Sequence, residues 1–316
     1  MEGPTPVSAL IHAATLVVAG VFLIIRCSIL FEHSESVLMV VSIVGALTSF
    51  FAASVGLFQN DLKRVIAYST CSQLGYMVFI SGLSHYSVSM FHLANHAVFK
   101  ALLFLSAGCI IHGMSDEQDL RKMGGLLHIF PVSYVMVLIG SLALIGTPFL
   151  TGFYSKDCIL ELAFAKHNFL GNFCYFLGCS AAFCTSFYSF RLIFLTFINP
   201  TNTFKGHIEH AHEAPIRMVL PLIILSLGAI FYGFISRDLV IGLGSLYFNS
   251  VATNFYNFNL IDSEFLNSFV KNIPFIFTVL GAFLSLLLIN CFAVNKDYVF
   301  HKKLNARSFY IFLNKK

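Results

Sequence analysis

The run IGTPFLTGFYSKD, residues 145–157, interrupts the longest apolar stretch of the chain. That stretch, from about residue 130 to 166, is too long to cross a bilayer once as a straight rod, since about 20 helical residues span a hydrocarbon core of about 30 Å. Gly146, Pro148 and Gly152 lie near its middle. Proline lacks the N–H that a helix interior needs, so this spacing predicts a helix broken inside the membrane. Such a break survives only where the freed backbone is buried in protein or lines a wet cavity.

Composition agrees with a membrane setting. Of 316 residues, 57 % are hydrophobic and 11 % charged, against about a quarter charged in soluble domains. Eight spans are expected, near 7–30, 36–58, 64–84, 87–111, 130–166, 170–198, 217–236 and 273–295. The first residues show no basic region and cleavage site of a signal peptide. The cysteines, at 27, 71, 109, 158, 174, 179, 184 and 291, form no C-x-x-C pair and read as reduced packing residues. Lys63, Arg64, Arg121, Lys122, Lys205, Arg217 and six basic residues after 295 fall on one side, whereas Lys166, Arg237 and Lys271 fall on the other. The positive-inside rule places the first group, and with it both termini, toward the compartment of synthesis.

An ionisable side chain at mid-span costs about 2.5–3.5 kcal/mol on insertion scales, so each one present needs a reason. In FHLANHAVFKALLF, residues 91–104, His92, His96 and Lys100 recur four residues apart. They spread over about 80° of one helix face with a rise of about 6 Å between neighbours, close enough for one water to join each pair. A single histidine there would read as a packing residue, and a lysine as one snorkelling to the interface. Three ionisable groups on one face read as a proton relay. Tyr154, Ser155, Lys156 and Asp157 form a second polar group at the expected break, where cut helix ends offer partial charges. A permanent ion pair of Lys156 with Asp157 or Glu161 is the competing reading. His12 lies inside the first span and reads equally as packing or functional. Lys63, beside Asp61 and Arg64, marks a span entrance that a solvated helix start also explains. GHIEHAHEAP, residues 206–215, has the content of a metal site without its spacing, so no metal is expected. No dinucleotide fingerprint, P-loop or nucleophile elbow occurs, and no cofactor-binding residues are expected.

Five motifs together carry a resemblance: MEGPTPVSALIHAATLVVAGVFLI (1–24), QNDLKRVIAYSTCSQLGYM (59–77), FHLANHAVFKALLFLSAGCIIH (91–112), SDEQDLRKMGGL (115–126) and GFYSKDCILE (152–161). In this order and spacing they resemble the chain 5 family of the proton-pumping NADH:ubiquinone oxidoreductase, respiratory complex I, of mitochondrial type. The likeness is dense to about residue 198 and looser to about 295. It implies an all-α, antiporter-like polytopic bundle built from two inverted five-helix repeats, each with one broken helix. This chain, 1–316, would be a single transmembrane domain. It would hold the last helix of the first repeat (1–30), the second repeat (36–198), two additional spans (217–295) and a polar tail (296–316).

The resemblance further implies that Lys156 hands a proton toward the exit side. Lys100 and His96 would lie on a central polar axis with His92 beside them, and His12 would join two half-channels. Asp157, Tyr154, Ser155 and Lys63 would be supporting polar groups. NADH, FMN, iron–sulfur clusters and ubiquinone are expected on partner subunits, and no redox site in this chain. The first repeat's broken-helix lysine, its glutamate partner and the family's lateral helix have no counterpart here. Either the chain is split or the sequence is part of a longer one; Met1 in place of an internal methionine favours a split chain, with one separate polypeptide supplying the first repeat and another the lateral helix. Other membrane-arm subunits and lipids are expected as partners, nucleic acid is not, and the expected location is the mitochondrial inner membrane with both termini on the matrix side. Two other readings stay open: a subunit of a multisubunit cation/proton antiporter, and a scaffold that has lost conduction.

Overall fold

The computed structural model describes residues 3–203, 206, 208, 211–242 and 258–294. These form α1 (Thr5–Arg26), α2 (Ser28–Glu32), α3 (Glu35–Gly56), α4 (Leu62–Gly82), α5 (Tyr86–Gly113), α6 (Pro131–Ile145), α7 (Thr151–Ala165), α8 (Phe169–Ile198), α9 (Ile216–Val240), α10 (Phe258–Glu264) and α11 (Ser268–Val294). Among the described residues there is no strand, only an isolated antiparallel bridge between Asp61 and Asp119. A helix stands at each of the eight expected spans, and the fifth is broken into α6 and α7. Six helices are long and apolar enough to cross a membrane: α1, α3, α5, α8, α9 and α11. The expected tail, 296–316, lies outside the described residues.

Hydrocarbon offers helices no hydrophobic reason to associate, so close approach of small residues and hydrogen bonds must do it. The α3–α4 hairpin shows this. Every buried residue of α3 is small: Ser42, Gly45, Ala46, Ser49, Ala52, Ala53 and Gly56. A Cβ placed on Gly75 of α4 would overlap the Ser49 backbone, and the Ser72 hydroxyl donates to the Ser49 carbonyl at 3.0 Å. From α8, the Arg191 guanidinium donates to the carbonyls of Leu57 and Gln59 at 2.5 and 2.9 Å and to Asn60 Oδ1 at 2.9 Å. It thereby satisfies acceptors left open where α3 ends.

At the centre runs α5, with α1, α4, α6, α7 and α9 all packed on it. This explains why its polar stripe is buried inside protein. Outward faces of α1, α3, α9 and α11 carry exposed apolar side chains such as Leu10, Phe51, Ile224 and Phe283, as helices facing hydrocarbon do. Cys109, Cys174, Cys179 and Cys184 are buried and unbridged, whereas Cys71 is exposed and departs from the packing role expected of it.

Two loops close one end of the bundle. The 112–128 loop pairs with the start of α4 through Leu62 N to Gln118 O (2.9 Å) and Leu120 N to Asn60 O (2.8 Å). Burial pushes the Glu117 and Asp119 carboxyls up, but hydrogen bonds from Lys122 and Arg121 outweigh it and hold both below their ordinary range. Their stabilisation of the loop is therefore present above the ordinary carboxylate range and lost as pH falls through the lowered values. Described residues of the 199–215 loop reach the same end, where the Thr203 hydroxyl donates to Lys122 O at 2.7 Å. Its Glu213 accepts from Ser133 N at 3.0 Å and Ser133 Oγ at 3.1 Å, capping α6, and His212 stacks edge-on to His112 with centroids 6.1 Å apart. His207, Glu209 and His210 lie outside the described residues.

Gly75→Val should force α3 and α4 apart, at the cost of about 1–3 kcal/mol typical of overpacking. A lower thermal midpoint of the purified chain in detergent is the expected result; an unchanged midpoint would contradict this contact.

Candidate functional site

The break is pinned on every side. α6 ends at Ile145, and Gly146 takes a left-handed φ of 88°, a conformation glycine adopts without steric cost. The N–H groups of Gly146 and Thr147 both reach Leu142 O at 3.2 Å. α7 restarts at Thr151, whose hydroxyl is seated on the Gly228 and Ala229 carbonyls of α9 at 3.1 and 2.5 Å. A Cβ on Gly152 would overlap the Ala143 carbonyl, so only glycine lets the two halves lie this close.

Lys156, 2 % exposed, points back into the break. Its ammonium donates to Ile145 O, the open carbonyl at the cut end of α6, at 3.3 Å, and to Thr185 Oγ1 of α8 at 3.1 Å. The carbonyl end of a helix carries partial negative charge, so the cut end stabilises a cation there. Tyr76 presents its ring 5.6 Å from the same nitrogen, within the range of a cation–π contact.

One residue back, the Ser155 hydroxyl lies 2.8 Å from His92 Nδ1, and His92 Nε2 lies 3.1 Å from Gln73 Oε1. With the amide oxygen accepting, Nε2 carries the proton and Nδ1 accepts from Ser155. The next turn of α5 brings His96, with ring centroids 6.3 Å apart. One turn further, the Lys100 ammonium donates to the Ser69 hydroxyl. His92, His96 and Lys100 are at most 1 % exposed, so the whole file is sealed from the lipid.

Three residues along the file carry unsatisfied atoms: both ring nitrogens of His96, both amide atoms of Asn95 and Nε2 of Gln73 are buried without a protein hydrogen-bond partner. Native interiors pair the large majority of such atoms with protein or ordered water, so these groups fit a hydrated file better than a dry core.

The structure thus brings Lys156, Ser155, His92, His96 and Lys100 together. Asp157 and Tyr154 turn to the other face of α7, where they line a cavity of about 390 Å³. Lys63 is buried at the start of α4, 6 % exposed. His12 stands apart, exposed on α1. It lies in a π-helical stretch, Ser8–Thr15, where the Thr15 hydroxyl bonds Leu10 O at 2.8 Å; such widened turns recur at functional sites. Sequence reasoning missed Gln73, Ser69, Thr185 and Asn95. Ser69 and Gln73 share a helix face at i, i+4, a polar stripe on α4 that mirrors the one on α5 and was open to the same reading.

Residues 1–183 match the family described as NADH:quinone oxidoreductase/Mrp antiporter, TM. The chain is 62 % identical to NADH-ubiquinone oxidoreductase chain 5 of Marchantia polymorpha over 287 residues, covering 90 % of this chain and 43 % of the relative. It is 57 % identical to the Arabidopsis thaliana protein of that name, covering 100 % and 47 %, and 54 % identical to the Phytophthora infestans one, covering 100 % and 48 %. The chain therefore spans less than half the length of these curated relatives. Among solved structures, the Mrp complex from Dietzia sp. DQ12-45-1b is similar in fold, with a TM-score of 0.72 at 23 % identity over 98 % of this chain and 34 % of that one.

Gln73→Leu should leave His92 Nε2–H unpaired in the core and cost about 1–3 kcal/mol. Combined with His92→Leu the loss should fall short of the sum of the single variants, because contacting residues couple by about 0.5–3 kcal/mol. Additive midpoint shifts in a double-mutant cycle would show that the two side chains are not partners.

Proposed function

This chain belongs to the NADH:quinone oxidoreductase/Mrp antiporter family, and within it we propose that the chain is a proton-carrying membrane-arm piece of respiratory complex I. The observation that carries this reading is the sealed polar file from Lys100 through His96 and His92 to Ser155 and Lys156. Each member can hold or pass a proton, and the spacing of each histidine from its neighbour suits one bridging water. A proton arriving at Lys100 moves by way of His96 to the His92 ring, through the Ser155 hydroxyl, and on to Lys156 at the cut helix end. The lysine holds it there against Ile145 O and Thr185 Oγ1 until the next group accepts it.

The redox chemistry belongs to other subunits: NADH, FMN, iron–sulfur clusters and ubiquinone sit on partners, and no redox site is assigned here. The chain works with other membrane-arm subunits in the mitochondrial inner membrane, termini on the matrix side, with lipid around its apolar faces. The exposed His12 face of α1 is where the first repeat would lie, which puts His12 between two half-channels. The chain 5 names of relatives at 54–62 % identity favour this reading over an antiporter subunit, which the same file would also serve. The intact file disfavours a scaffold without conduction.

Lys156→Gln in the assembled complex should lower proton pumping and coupled turnover by about 10²-fold, the lower end for a positioned proton-transfer group. Unchanged pumping in an assembled variant would remove Lys156 from the path. The chain reconstituted alone should carry no proton flux, because it offers one access path where translocation needs two; robust flux from it would contradict the half-channel reading.

A further inference from the structure

On the face of α7 turned away from the file, a cavity of about 390 Å³ gathers six charged side chains: Asp157 and Glu161 from α7, Arg237 and Asp238 from α9, Glu264 from α10 and Lys271 from α11. Asp157 and Glu161 are one turn apart, so they share a face. Neither makes an ion pair among the described residues. Both basic residues are committed elsewhere, and to one partner. Arg237 Nη2 lies 3.4 Å from Glu264 Oε1, and Lys271 Nζ lies 3.9 Å from Glu264 Oε2 and 2.9 Å from its backbone oxygen. Arg237 also stands 6.0 Å from the Tyr154 ring, which places it beside α7. Lys271, Glu264 and Arg237 all act on Glu161 electrostatically across the cavity.

Long, half-exposed ion pairs of this kind are weak and exchange readily. One carboxylate holding two cations, in a cavity that two unpaired carboxylates also line, is therefore a balanced competition. Whichever carboxylate carries negative charge more of the time takes the cations.

We propose that Arg237 and Lys271 form a charge latch on the release side of Lys156, alternating between Glu264 and the Asp157–Glu161 pair. The proposal rests on the proton-carrying reading of the file. The open state has the cations on Glu264, as here, with Glu161 protonated and Asp157 a carboxylate. Glu161 releases its proton to water in the cavity, which leaves both carboxyls of α7 anionic, and Arg237 and Lys271 move onto them. Paired in this way they no longer accept a proton from the cavity, so return flow is blocked. The Lys156 ammonium then gives its proton to the Asp157 carboxylate and becomes a neutral amine, Asp157 passes that proton to Glu161, and the cations return to Glu264; charge and protons balance at each transfer.

Carbodiimide with a glycine ester amine, which couples to protonated carboxyls that water can reach, tests the latch in the assembled complex by mass spectrometry. Glu161 should be labelled in the unaltered protein. In Glu264→Gln the cations lose their resting partner and stay on α7; an adjacent cation lowers a carboxyl pKa by about one unit or more, so Glu161 labelling should fall about tenfold. Arg237→Gln, with one competing cation removed, should raise that labelling, and Arg237→Lys should restore it. Either variant reports if the other fails to assemble. No labelling of Glu161 in the unaltered protein, or equal labelling across the assembled variants, overturns the latch. Loss of pumping in Lys156→Gln beside unresponsive labelling would sink the latch alone, whereas retained pumping there would sink the proton-carrying reading whatever the labelling does.

Discussion

The contact on which the structure turns is the Lys156 ammonium held against the cut end of α6. In hydrocarbon an unpaired carbonyl and an unpaired ammonium are each costly. Set 3.3 Å apart, each lowers the cost of the other. The break supplies the open carbonyl and the lysine supplies the charge that tolerates it. Gly146 ends one half, Gly152 lets the second half lie close, and the Thr151 hydroxyl on α9 fixes where it restarts. α5 must then lie alongside, because the Ser155 hydroxyl next to Lys156 is bound to His92.

Much of this was legible in the sequence. The apolar runs gave the helices, since length and hydropathy decide what can cross a bilayer, and the Gly-Thr-Pro sequence at 146–148 gave the break. The i, i+4, i+8 spacing of His92, His96 and Lys100 gave the stripe. Partners that come from other helices were harder to read. Thr185 and Ser69 look like ordinary small helix residues, and only the packing of α8 and α4 brings them to Lys156 and Lys100. The separation of Lys156 from Asp157 was likewise hidden. Adjacent helical residues point about 100° apart, so one joins the sealed file and the other the open cavity. His12 stands exposed on α1, on a face that no described element covers, which local patterning does not record.

Two different environments lie on either side of α7. The file is enclosed and short of hydrogen-bond partners around Asn95 and His96. The cavity is open and crowded with charges of both signs. Lys156 sits between them, and its neighbours differ in kind on its two sides. At that boundary Lys156 meets histidines and hydroxyls on one hand and carboxylates on the other, the asymmetry on which the proposed transfer rests.

The most direct test of the central claim is a high-resolution density map of this chain inside its native membrane complex, inspected between Lys100 and Lys156. The proton-carrying account predicts ordered water within hydrogen-bond distance of the His96 ring nitrogens and the Asn95 amide, joining Lys100, His96 and His92 in one file. A dry, closed interior in which those groups pair with protein side chains would contradict it.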